Sequence, residues 1–257
     1  MNNNKYRNPE IDARQSDEYY FPYHYIPSVS SFPMFSKTWT FSPSYIAAIK
    51  LAGKWLENIK INNKKDHLHM DYGCGDGGFL NTIAKNYNIK NMKFEGIDTD
   101  KRAVDWANQF SDGINFECND LKNLENNKYD SGSLVEVIEH IPPSEVDAFI
   151  LALSQSMKSG GQLFVTAPST EKPLEKKHYR HFDFDMLIAC FSKYFDVNDC
   201  FGFERIDFFG KFCMKLMMRK NYFIETKVTS NYFINSYTKK HQKLDGCGRI
   251  GLVLTKK

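Results

Sequence analysis

The octapeptide Asp71-Tyr72-Gly73-Cys74-Gly75-Asp76-Gly77-Gly78 restricts the fold more than any other stretch of this chain. It ends an apolar run, residues 68–72, and opens an amphipathic one, residues 78–87. Glycines at such a strand-to-helix junction let a ligand approach the backbone and the free amides of the helix N-terminus. Gly73, Gly75 and Gly78 fit the G-x-G-x-x-G spacing of dinucleotide sites. Asp71 argues against that ligand: a carboxylate two residues before the first glycine repels a pyrophosphate and suits a cationic amine or a sulfonium.

The alternation continues downstream. Residues 68–72, 93–97, 114–117, 133–137 and 162–166 read as strands, and 78–87, 102–110 and 144–157 as helices. A helix over 184–194 leads to a strand over 195–203, and 249–254 is a β-rich apolar run fit for a central strand. This order specifies an α/β fold, a mostly parallel sheet with helices on both faces. Before it, residues 1–18 read as a flexible lead-in. Residues 19–62 read as an aromatic cap and a helix, with Ser42 as N-cap and Pro43 at the first helical position. Residues 63–206 form the core, 207–247 a helical insertion and 248–257 the last strand.

The carboxyl ends of the next strands carry further markers: Asp98-Thr99 after the second, Asn119-Asp120 after the third, Glu136 to Pro142 after the fourth, and Ser159-Gly160-Gly161 before the fifth. In this order the sequence resembles the class I S-adenosylmethionine (SAM)-dependent methyltransferases, over residues 65–203 and 249–256. The resemblance implies a Rossmann-like, seven-stranded sheet with an antiparallel last strand. It implies that SAM is bound by Asp71, Gly73, Cys74, Gly75, Asp98, Thr99, Asn119, Asp120 and Glu136. Asp98 would take the ribose hydroxyls, and Asn119 or Asp120 the adenine amine.

Glu136, Glu139 and His140, followed by His178 and His181, supply carboxylates and imidazoles near the transferred methyl. A hydroxyl acceptor needs a base or a Lewis acid there, which makes Glu139, His140 and His181 the catalytic candidates. The pattern resembles the metal site of the small-RNA 3′-terminal 2′-O-methyltransferases and, in part, the ubiquinone-type O-methyltransferases. That likeness implies Mg²⁺ or Mn²⁺ on Glu136, Glu139, His140 and His181, with His178 in reserve. The opposing expectation is that Glu139-His140 only caps and orients the next helix.

Longer strings, among them 20–25, 136–142, 176–182 and 247–250, look like a group of bacterial methyltransferases associated with surface-polysaccharide biosynthesis. They point to O-methylation of a sugar or of a nucleotide- or phosphate-linked glycan precursor. Residues 207–245 hold eight Lys/Arg against three Asp/Glu, a local excess of +5 set among aromatics, and together with the N-terminal segment they read as a lid over the sheet's carboxyl edge. A net charge of +3 is a weak footprint for nucleic acid, so an RNA 2′-O-methyltransferase ranks second and an inactive binding subunit third. No apolar run spans a bilayer, the N-terminus lacks signal-peptide features, and six scattered cysteines read as reduced thiols. These traits predict a cytoplasmic enzyme and set no oligomeric state.

Overall fold

The computed structural model describes residues 7–20, 22–25, 34–36, 43–59, 66–217, 222–224 and 226–257. The elements are α1 (Pro9–Glu18), β1 (Met34–Ser36), α2 (Pro43–Glu57), β2 (His67–Tyr72), α3 (Gly78–Asn86), β3 (Met92–Asp98), α4 (Lys101–Phe110) and β4 (Asn115–Cys118). They continue with β5 (Tyr129–Val135), α5 (Val146–Ser156), β6 (Met157–Pro168), α6 (Phe184–Phe191), β7 (Phe195–Arg205), α7 (Phe208–Met217), β8 (Tyr222–Ile224), α8 (Lys227–Tyr237) and β9 (Cys247–Lys256). A seven-stranded sheet runs β4-β3-β2-β5-β6-β9-β7. Only β9 is antiparallel to its neighbours, as the expected Rossmann-like class I methyltransferase fold requires.

Strand period two divides the core. Leu163, Val165 and Ala167 of β6 face α5 and α6, and Phe164 between them packs with α2 and α3 on the other side. Strand order reverses between β2 and β5, so their carboxyl ends open a crevice, the usual ligand position in such sheets.

Three expectations need correction. The fourth core strand, expected at 133–137, is Tyr129–Val135. Its polar start, Tyr129-Asp130-Ser131, hid it from an apolar pattern, and Glu136 leaves the strand at φ 56°. Residues 1–18 are not simply a lead-in, because α1 occupies 9–18. The Asn8 side chain caps it by accepting from the Glu10 N–H, Pro9 presets its first turn, and Glu10 and Asp12 suit its positive end. The helix from Pro43 is as expected, while Ser42 falls outside the described residues.

The third correction concerns the insertion. Its β8 pairs antiparallel with β1 of the N-terminal segment, and α8 buries Phe233 and Tyr237 in the apolar cluster that α2 shares. Among the described residues, none from 207–245 lines the crevice; of the two segments expected to form the lid, the N-terminal one covers it, through α1. No described helix is long and apolar enough to cross a membrane.

Candidate active site

Beyond β2 and β5 lies a cavity of about 790 Å³. Gly73, at the start of the glycine loop, lines it. Gly73 and Gly75 have φ of 79° and 54°, which L side chains rarely adopt. A Cβ on Gly73 would come within 2.5 Å of Val137, and one on Gly75 within 2.6 Å of the Tyr19 hydroxyl, so these side chains pack onto the loop as only glycine allows. The Asp76 carboxylate accepts from the Gly78 N–H (3.2 Å) and the His24 N–H (3.2 Å), tying the aromatic segment to the loop. Cys74 is buried in the apolar cluster.

Asp98 stands on the cavity wall at the end of β3 and accepts from the Gly75 N–H (2.9 Å) and the Asp100 N–H (2.9 Å). Burial pushes its carboxyl up, against those hydrogen bonds. Asp71 is buried one layer below, 2% exposed, and accepts from the Ser133 hydroxyl at 2.6 Å. Its burial raises the carboxyl to about 7. Thr99 and Asp120 line the cavity. Asp120 also caps a short 3₁₀ turn and pairs with Lys122 at 2.9 Å. Asn119 turns toward Glu117 (2.8 Å) and is not part of the cavity wall.

Glu136 lies on that wall, but its oxygens are committed: one accepts from the Thr166 hydroxyl (2.9 Å), the other from Arg249 Nε (2.8 Å). Arg249 also donates to Glu204, which pairs with Lys172 and accepts from the Ser44 hydroxyl. Glu136 is therefore one arm of a buried ion network. The sequence placed Arg249 in a strand and in the 247–250 string but gave it no site role; a charged residue opening the apolar run 249–254 was the available signal.

The groups that do converge are Glu139, His140 and His178, with one possible ligand atom each, all within 4.8 Å of one another. Glu139 is 1% exposed and neither carboxylate oxygen has a partner. Its burial, with the nearby Glu136 charge, pushes the carboxyl well up. His140 Nδ1 faces the Lys177 carbonyl (3.1 Å), which fixes that nitrogen as the donor and leaves the Nε2 lone pair 4.0 Å from Glu139. His181 Nδ1 faces the Lys172 carbonyl (3.1 Å), so its Nε2 accepts from His178 Nδ1 (2.9 Å) and the His178 Nε2 lone pair is left over. Burial pushes His140 and His178 down to about 3, so both are neutral. The reserve residue His178 thus takes the place expected of His181, which orients it from behind.

Helix α1 roofs the cavity through Ile11, Asp12, Gln15 and Ser16. Arg7 grips Glu145 at 2.9 Å, Lys177 pairs with Glu18 at 2.7 Å, the Tyr179 hydroxyl donates to Asp12 (3.1 Å), and Ser16 donates to Asp100 (2.5 Å). Trp106 donates to the Tyr19 carbonyl (3.2 Å).

The chain belongs to the methyltransferase-domain family, whose pattern matches residues 46–198. It is similar to the ubiquinone biosynthesis O-methyltransferase of Coxiella burnetii, 28% identical over 117 residues, 43% of this chain and 47% of that protein. It is also similar to the carboxy-S-adenosyl-L-methionine synthase of Helicobacter pylori, 27% identical over 129 residues, 48% of this chain and 53% of that one. The chain thus spans about half the length of these curated relatives. A SAM-dependent methyltransferase from Archaeoglobus fulgidus superposes with a TM-score of 0.55 at 16% identity, covering 86% of this chain and 100% of that one. Magnesium protoporphyrin IX methyltransferase from Synechocystis, solved with bound SAM, gives 0.52 at 16% identity, covering 84% and 80%. At these identities the likeness establishes the fold.

Proposed function

We propose that this chain is a SAM-dependent O-methyltransferase. The observation that carries the reading is a single cavity lined by Gly73 and Asp98 together with His140. SAM fits beside Gly73 and Asp98: both line the cavity, and Asp98 offers carboxylate oxygens to ribose hydroxyls. Thr99 and Asp120 would border the nucleoside, and Asp71 below Gly73 would favour its cationic part.

SAM supplies an electrophilic methyl. The chain holds the acceptor oxygen in line with it and removes the acceptor's proton. Without a metal, His140, neutral and on the cavity wall, is the base. Glu139, His140 and His178 are also the residues that would hold a metal, and an orphaned buried carboxylate beside two imidazole lone pairs suits Mn²⁺ better than the oxygen-seeking Mg²⁺. Such an ion would lower the acceptor's pKa. Glu136 and His181 serve the site through Arg249 and His178.

The acceptor we propose is a hydroxyl of a sugar or of a nucleotide- or phosphate-linked precursor of a bacterial surface glycan, handled in the cytoplasm. The support is the sequence resemblance described above. The experiment gives the purified chain methyl-labelled SAM with phosphorylated sugars, nucleotide-linked sugars and short RNAs, in EDTA and after addition of Mn²⁺. Label on a sugar oxygen supports the proposal. Label entering RNA with a steep salt dependence would replace it with RNA 2′-O-methylation. SAM binding with no transfer to any acceptor would leave a binding subunit. Full activity in EDTA would remove the metal.

A further inference from the structure

Beneath the glycine loop, β2 and β5 carry a continuous file of polar side chains through an otherwise apolar face. Parallel pairing sets His69 opposite Ser131 and Asp71 opposite Ser133, and period two puts His67, His69 and Asp71 on one side. His67 Nε2 lies 2.8 Å from the Ser131 hydroxyl, which lies 2.8 Å from His69 Nδ1. His69 Nε2 is 3.1 Å from the Ser133 hydroxyl, which reaches Asp71 at 2.6 Å. His69, Ser131 and Ser133 are fully buried, and only His67 is partly exposed, at the amino end of the sheet.

Such a chain has two self-consistent arrangements. With Asp71 ionised, each donor points toward it: His67 Nε2–H to Ser131, Ser131 O–H to His69 Nδ1, His69 Nε2–H to Ser133, Ser133 O–H to Asp71. With Asp71 protonated every donor points the other way. The two differ by one proton. Converting the second into the first passes the Asp71 proton to Ser133, that of Ser133 to His69 Nε2, that of His69 Nδ1 to Ser131 and that of Ser131 to His67 Nε2. The His67 Nδ1 proton then leaves to solvent, and no other bond changes.

We propose that His67, Ser131, His69 and Ser133 are positioning residues that carry a proton between Asp71 and solvent at the amino end of the sheet, so that cofactor binding at the opposite end is coupled to proton release. The inference rests on the reading that SAM occupies the cavity above Gly73. The surroundings supply the driving force. Asp71 is buried and feels the Asp98 charge at the end of the neighbouring β3, so it holds its proton to about 7 without a cation nearby. A sulfonium or ammonium above the loop favours the ionised form. Asp130 and Lys158 flank His67, while Trp55 and Phe94 pack on His69. Burial holds His69 down to about 3, so it relays by tautomer exchange and does not store charge.

The test is calorimetry of SAM binding in buffers of different ionisation enthalpy, paired with stopped-flow mixing in a pH indicator. At about pH 6 the chain should release close to one proton per SAM, falling toward zero by about pH 8.5, because the free Asp71 ionises on its own above about 7. In the parent protein, proton release should coincide with the fluorescence change of binding. In His67→Gln, and independently in Ser131→Ala, it should lag behind binding while the SAM dissociation constant stays near normal. SAM binding without proton release, or coincident release in both variants, overturns the inference. Failure to bind SAM at all defeats the cofactor reading beneath it.

Discussion

Asp98 holds the fold at the point where the proposed cofactor would lie. Its carboxylate holds the Gly75 and Asp100 amides and still lines the cavity. Asp98→Asn keeps an acceptor for the loop but removes the charge-assisted pairing to ribose. SAM affinity should fall by roughly 1.5–3 kcal/mol, about 10- to 150-fold, with the melting curve little changed. An unaltered dissociation constant by calorimetry would take Asp98 out of the site. Glu139 gives the opposite case, a buried carboxyl with no partner. Glu139→Gln should raise the melting temperature of the metal-free protein near pH 8, where an ionised Glu139 is most costly, and should abolish any Mn²⁺-induced rise in melting temperature. An equal Mn²⁺ shift in parent and variant would dismiss the metal.

At the scale of elements, the alternation from β2 to β6 and the glycine loop were legible because period two, period 3.6 and the turn residues agree locally. The polar face of β5 was not, since Ser131 and Ser133 make sense only beside His69 and Asp71 of β2. Glu136 was read as a ligand because its partner Arg249 is 113 residues away, and spacing cannot reveal such a pair. Helix α1 escaped for a related reason: it is weakly amphipathic with no buried residue, and its stability comes from polar contacts to Glu145, Tyr179, Lys177 and Asp100. Those ion pairs are partly exposed, worth about 0.2–1 kcal/mol each and weakened by salt. Removing residues 1–18 should therefore spare the core's melting transition and speed SAM dissociation, about tenfold if two or more such contacts act together. Stopped-flow displacement checks this, and the parent's dissociation rate should rise with ionic strength. An equal rate in the truncated chain would show that α1 does not cover the cofactor.

For the whole molecule, buried titratable groups set the pH response. His69, His140 and His178 are held down to about 3. The unfolded chain protonates them below about 6.5, so their contribution is present above that pH and is lost on acidification. Asp71 and Glu139 are raised, so they contribute below about pH 4 and lose that contribution as pH rises through their folded values. Between about pH 5 and 6, these five groups gain three protons on unfolding and lose two, a slope near one proton, about 1.4 kcal/mol per pH unit, while the raised Asp98 and the lowered His67 act in opposite senses. Denaturant melts should show stability falling by that order from pH 6 to pH 5, and about twice as steeply in Glu139→Gln. A flat profile in both would mean that these imidazoles are not held neutral.

The account depends most on the cavity beyond β2 and β5 being a SAM site. Calorimetric titration of SAM into the full chain addresses that directly. One molecule should bind per chain with saturable heat, and Asp98→Asn should weaken it at least about tenfold. No saturable binding at millimolar SAM, or binding that Asp98→Asn leaves untouched, would contradict the account.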